Sequence, residues 1–169
     1  MKIQPEFYWI QGFKEQLAIM PKPRAGDWLA DEINGLRQEG IDILVSLLTI
    51  DEIYELNLKK EPEMCQVYDI EFISFPILDR KVPTSITKTM QLSHTLLMQI
   101  QHGKKVAVHC RAGIGRSALI VASILVRAGI EPVKAYEIIT KSRGLLVPDT
   151  KAQKQWLDIF AQKLKKENS

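Results

Sequence analysis

Residues 109–117 read His-Cys-Arg-Ala-Gly-Ile-Gly-Arg-Ser, and the residue types and their spacing fit one kind of chemistry. Cys110 is followed by Arg116 across a stretch of mostly small residues that includes Gly113 and Gly115. A short apolar run, Val106-Ala107-Val108, leads in, and a long one, Ala118 to Val126, follows. A strand, a tight loop and a helix start make a cradle for phosphate. Successive backbone N–H groups and the positive end of the helix dipole converge on one anion. Arg111, Ala112, Gly113, Ile114, Gly115 and Arg116 are expected to line it. The two glycines permit backbone conformations closed to other residues and a close approach to the anion. Arg116 offers a planar fork for two phosphate oxygens. The same N–H groups and dipole favour thiolate over thiol at Cys110, which makes it a nucleophile at neutral pH. A bare Cys-x5-Arg arises easily by chance, and a free cysteine at a strand end is often only buried. Neither explanation accounts for the glycines together with the arginine.

Phosphoryl transfer to sulfur also needs a proton for the leaving oxygen. Asp79, in Phe75-Pro76-Ile77-Leu78-Asp79-Arg80-Lys81-Val82-Pro83, is the best candidate, because it lies in a loop after a strand and upstream of the cradle. Asp51 and Asp69 sit in no comparable loop. The same aspartate would then act as base on the water that hydrolyses the thiophosphate. The Ser117 hydroxyl could reach back to the sulfur and stabilise the departing thiolate; the alternative is a plain first-turn serine. Arg80, Lys81 and Arg111 would add positive charge at the mouth, with Arg111 facing either into the cradle or out to solvent.

The stretch 109–117 resembles, without a departure, the signature His-Cys-x-x-Gly-x-Gly-Arg-Ser/Thr of the cysteine-dependent protein tyrosine phosphatase superfamily. From about residue 25 to about residue 160 the chain is similar to the small dual-specificity branch, most of all to its kinase-associated phosphatase type. The resemblance implies the general-acid role for Asp79. It implies that His109 positions the loop and tunes the thiol, a plain buried histidine being the alternative. It further implies that Gln153, rather than Gln155, positions the hydrolytic water.

The elements that must hold these residues are legible in the pattern. Phe7–Ile10 and Leu17–Met20 flank Gly12 as a short hairpin. Trp28, Leu29, Ile33 and Leu36 fall at helical spacing and end at Gly40. Ile41 to Leu48 is long enough for a buried strand. Thr49-x-x-Glu52 has the form of a capping box and opens a short helix through Leu56. Ile70 to Ile77 is strand-like and runs into the loop Leu78 to Pro83. Ile86, Met90, Leu97 and Ile100 mark a helix that stops at Gly103. Lys104 to His109 is the strand that feeds the cradle. Gly129 and Pro132 separate the following helix from one near Val133 to Ser142. Pro148-Asp149 begins a last helix carrying Trp156, Leu157, Phe160 and Leu164. Strands alternating with helices predict an α/β domain with a mainly parallel sheet covered on both faces, and the resemblance implies the protein tyrosine phosphatase-like version of it.

With 169 residues, the chain is expected to form a single catalytic domain, 1–169. The net charge of +3 gives no reason to expect nucleic-acid binding. No apolar run approaches the ~18 residues of a membrane span, and Met1 to Pro5 has no signal-peptide core. An intact Cys110 thiol favours a reducing, cytoplasmic setting. Cys65, in the charged stretch Lys59 to Gln66, has no sequence reason to approach Cys110. His94, His102 and Cys65 lack metal-ligand spacing, so no metal and no cofactor are expected. A monomer is the expected state, with the tail Lys163 to Ser169 frayed.

Strict phosphotyrosine enzymes of the resembling superfamily carry an additional recognition segment that deepens the pocket, and the upstream sequence has no equivalent. The favoured partner is therefore a phosphorylated protein, with phosphotyrosine and phosphoserine/threonine both accepted. The second reading is a phosphoinositide or other small phosphate ester, motivated by the basic mouth, although Ile114 is apolar where a second loop base would help. A phosphate-binding module without turnover is the third, disfavoured by the intact Cys110, Arg116 and Asp79.

Overall fold

The computed structural model describes residues 4–168. Met1–Ile3, most of the segment read as lacking a signal peptide, and Ser169 lie outside the described residues. The strands are β1 (Tyr8–Trp9), β2 (Leu17–Met20), β3 (Ile43–Ser46), β4 (Glu71–Ser74) and β5 (Val106–His109). The helices are α1 (Leu29–Gln38), α2 (Ile50–Glu55), α3 (Glu61–Val67), α4 (Ile86–Gln101), α5 (Arg116–Arg127), α6 (Pro132–Arg143) and α7 (Lys151–Glu167). The strands form one sheet in the order β1-β2-β5-β3-β4. β1 pairs antiparallel with β2 as the expected hairpin, and every other neighbour is parallel.

Alternation along the strands divides the interior into two layers. Leu17, Ile19, Ile43, Val45, Val106 and Val108 face a core shared with α4, α5, α6 and α7. Ala18, Met20, Leu44 and Ala107 face a second core under α1 and α3. All residues of β2, β3 and β5 are buried, as strands covered on both faces must be. α5 is buried from Arg116 through Val126, which explains why its sequence has no polar face.

Several boundaries differ from the sequence reading. Of the run Ile41 to Leu48 only Ile43–Ser46 is strand, and of Ile70 to Ile77 only Glu71–Ser74, a half-exposed edge. The charged stretch around Cys65 is a helix, α3, with Pro62 in its first turn, where a missing N–H costs nothing. The tail does not fray from Lys163. α7 continues to Glu167, because Leu164 is still buried against the core.

Since β2, β5, β3 and β4 run the same way, their carboxyl ends share one rim, the usual location of ligand sites in parallel sheets. β5 ends at His109, immediately before Cys110, β3 leads through Thr49 into α2, and β4 leads into the loop carrying Asp79. β2 ends in the Met20-Pro21 backbone, on which the cradle rests.

Candidate active site

The loop between β5 and α5 is shaped from outside by its carbonyls. His109 Nδ1 lies 3.1 Å from the Cys110 carbonyl. The Lys22 N–H donates to the Arg111 carbonyl at 3.2 Å. Arg143, on α6, donates from NH2 to the Ala112 carbonyl at 3.1 Å and from Nε to the Gly113 carbonyl at 3.0 Å. With consecutive carbonyls held outward, the N–H groups turn inward, and among the described residues no backbone carbonyl takes the N–H of 111–115. The two glycines serve different needs. Gly113 has φ 72°, and a Cβ there would lie 2.7 Å from Met20 backbone. Gly115 has an ordinary φ but no room, since a Cβ would lie 2.8 Å from the Asp149 Cβ.

Cys110 sits on the floor of this loop, with its Sγ 3.1 Å from Ser117 Oγ. Burial alone would raise the thiol's pKa. Hydrogen bonds from the Ser117 hydroxyl and N–H and from the Gly113 N–H, with the Arg116 charge, outweigh it and hold the pKa below that of an ordinary thiol. Behind the loop lies a buried pair, His109 Nε2 to Glu61 Oε2 at 2.6 Å. Both acceptors at the ring, a carboxylate and a carbonyl, ask for an N–H, so the geometry fits an imidazolium. Burial opposes that charge, and Glu61 with the Cys110 carbonyl overcomes it, leaving the His109 pKa above its ordinary value.

Arg116 is fully committed on one side. NH1 donates to Glu52 Oε1 at 2.7 Å and to the Ile77 carbonyl at 2.8 Å; NH2 donates to Glu52 Oε2 at 2.8 Å. Asp79 Oδ1 lies 3.1 Å from NH2 as an ion pair, with the Asp79 side chain still half exposed. Glu52 is buried, which would raise its carboxyl pKa, but the Arg116 and Thr49 hydrogen bonds hold it below the usual carboxylate range. The capping box read at Thr49 is present. Its Glu52 therefore does two jobs, one of which the sequence motif does not reveal.

The structure thus brings Cys110, Arg116, Ser117, His109 and Asp79 together. Arg111 turns outward, 3.5 Å from Glu55. Gln153 is buried near the rim: Oε1 accepts the N–H groups of Asp149 and Thr150, and Nε2 donates one of its two N–H groups to the Lys81 carbonyl. Glu52, Glu61, Arg143 and Asp149 were not singled out as site residues from sequence. Among the described residues no group of three or more His, Cys, Asp or Glu is arranged to hold a metal ion, and no helix is long and apolar enough to cross a membrane.

Cys65 belongs to the core on one face of the sheet and Cys110 to the core on the other. Burial and the nearby Glu61 push the Cys65 thiol up to about 12, so it is inert at neutral pH. Dilute peroxide is expected to oxidise Cys110 to sulfenic acid, with activity restored by a thiol reductant. Mass spectrometry of the oxidised protein is expected to contain no Cys65–Cys110 crosslinked peptide, since a bridge needs Cα atoms within about 7 Å. Finding one would refute the separation.

Fold and site together define a cysteine-dependent phosphatase domain. The chain belongs to the dual specificity phosphatase catalytic domain family, whose sequence pattern covers residues 37–162. It is similar to the protein 197R of Invertebrate iridescent virus 6, named as a tyrosine phosphatase, with 37% identity over 52% of this chain and 33% of that one. It is also similar to cyclin-dependent kinase inhibitor 3 of Rattus norvegicus, 27% identical over 76% of this chain and 61% of the relative. The chain thus spans about a third to three fifths of the length of these curated relatives. Among solved structures, kinase associated phosphatase superposes with a TM-score of 0.85 at 20% identity, covering 98% of both chains. PTPMT1 does so at 0.79 and 20% identity, covering 96% of this chain and 98% of that one. At these identities the structural likeness establishes the fold.

Proposed function

We propose that residues 1–169 act as one catalytic domain that hydrolyses phosphate monoesters on proteins, phosphotyrosine and phosphoserine/threonine alike, through a cysteinyl-phosphate intermediate. The observation that carries this reading is the placement of a stabilised thiolate, an arginine fork and a half-exposed aspartate within one set of contacts. In this mechanism the loop N–H groups and Arg116 bind the phosphate. Nε–H is the guanidinium donor with no protein partner among the described residues, so the phosphate takes Nε and the side of NH2 where Asp79 lies. Cys110 Sγ attacks phosphorus in line as the P–O ester bond breaks. Protonated Asp79, displaced from Arg116 toward the leaving oxygen, donates its proton. Water, deprotonated by the same carboxylate, then cleaves the S–P bond, and Ser117 stabilises the departing thiolate.

The small-ester reading rests on a basic mouth, and that support weakens in the folded chain. Arg80 is paired with Asp149 and Arg111 with Glu55, so of the three cations expected at the mouth Lys81 alone has no carboxylate partner among the described residues. A panel of phosphotyrosine, phosphoserine and phosphothreonine peptides, inositol phosphates and phosphoinositides tests the proposal. Turnover of all three peptide classes above the inositol esters is the expected result. A preference for the inositol esters would overturn it.

Asp79→Asn is expected to lose the basic limb of the pH–rate profile and to slow phenyl phosphate by ~10²-fold, with a much smaller effect on 2,4-dinitrophenyl phosphate. Equal slowing of both esters would mean that another group supplies the proton.

A further inference from the structure

Asp79 is carried by a tight turn in which the Lys81 N–H donates to the Leu78 carbonyl at 3.0 Å. The residue after Asp79, Arg80, has φ 62°. That is the left-handed region, where a turn normally places glycine or asparagine, and a long side chain there is held only if its surroundings compensate. Both compensating contacts come from the start of α7. Arg80 NH1 lies 3.0 Å from Asp149 Oδ2. Gln153 Nε2 donates to the Lys81 carbonyl at 3.1 Å, while Gln153 Oε1 closes the α7 capping box on the Thr150 N–H. The cradle rests on the same two residues, since a Cβ at Gly115 would strike Asp149 and the Gln153 amide. The start of α7 is therefore wedged between the thiolate loop and the acid turn, touching both.

We propose that Gln153 and the Arg80–Asp149 pair are positioning residues that latch the turn of Asp79 beside Arg116, so that when phosphate displaces the carboxyl from the guanidinium only the side chain has to move to the leaving oxygen. The inference rests on the reading of Asp79 as general acid. It gives Gln153 a task different from orienting the hydrolytic water, because each contact of its amide is structural: two backbone N–H groups and one backbone carbonyl. It also accounts for Arg80, whose side chain otherwise gains nothing from a left-handed backbone.

The test is kcat/KM, which reports phosphoryl transfer to sulfur, across aryl phosphates from 2,4-dinitrophenyl to phenyl. Wild type is compared with Asp79→Asn, Gln153→Ala, Arg80→Ala, Asp149→Ala and the Arg80→Ala/Asp149→Ala double variant. Loss of the latch is expected to lower kcat/KM for phenyl phosphate about tenfold in Gln153→Ala, as for a buried hydrogen bond. About threefold is expected in either exposed-pair variant. The dinitrophenyl ester should be affected much less. The double variant should be no slower than the singles, the signature of one shared interaction. Should Gln153→Ala fail to fold, the exposed Arg80–Asp149 cycle decides alone.

Uniform slowing of all esters in the latch variants, alongside an Asp79→Asn variant that does discriminate, would overturn the latch and leave the acid assignment standing. A Gln153→Ala loss confined to kcat, with a burst of phenol, would reveal slow thiophosphate hydrolysis and assign Gln153 to the water. That too overturns the latch for Gln153. An Asp79→Asn variant that does not discriminate removes the acid and the latch together.

Discussion

Cys110→Ser is expected to reduce hydrolysis of aryl phosphates to background, a loss on the order of 10⁵ or more, as when a covalent nucleophile is removed elsewhere. The cause is specific. The N–H groups of Ser117 and Gly113, the Ser117 hydroxyl and Arg116 bring a thiol below its ordinary pKa, but a serine hydroxyl starts far too high for the same contacts to ionise it at neutral pH. The carbonyl tethers do not involve the sulfur, so the cradle should persist and phosphate should still bind, measurable by calorimetry. In the wild type, rapid acid quench should trap phosphate on Cys110. Alkylation by iodoacetamide should continue below the pH at which an ordinary thiol falls silent, because a lowered pKa keeps thiolate present there. Full turnover by the serine variant would sink the covalent mechanism.

Arg116→Lys is expected to lower kcat by a factor on the order of 10² to 10³, comparable with losing a donor to a developing oxyanion. Lysine keeps the charge and loses the fork on both sides. On the protein side Glu52 would exchange a two-bonded partner for a single ammonium, and the Ile77 carbonyl would lose its donor. On the substrate side the planar pair of donors disappears. A thermal melt separates these effects: the Glu52 loss lowers Tm, whereas the lost transition-state contact appears only in turnover. Near-normal kcat in a folded lysine variant would show that charge alone suffices.

The loop of residues 109–117, the loop after β4 that carries Asp79 and the alternation of strands and helices are legible in the sequence, because each is encoded by local residue types. Gly113 and Gly115 announce a loop that no side chain could enter, and Thr49-x-x-Glu52 announces a helix start. What stayed hidden joins distant windows through common residue types. Glu61 and His109 are 48 positions apart, Glu52 and Arg116 64, and Arg80 and Asp149 69. A carboxylate in a charged stretch reads as a solvated surface, and only the fold turns Glu61 inward. The helix around Cys65 was missed for the same reason: polar neighbours masked a segment with one buried face. A glycine at 115 suggests backbone freedom, but its φ is ordinary, and crowding by the start of α7 is what excludes a side chain.

The outward tethering of the loop carbonyls has a bearing on how the protein is made. The donors belong to β5, the segment after β2 and the end of α6, so synthesis of the nascent chain completes the stretch 109–117 before its last clamp, Arg143, emerges. A peptide copied from residues 109–117 would carry the sulfur, the hydroxyl and the guanidinium yet have no tuned thiolate and no anion seat. Reactivity at Cys110 is a property that the chain acquires late, with its tertiary structure, and an incompletely folded molecule is shielded from showing it.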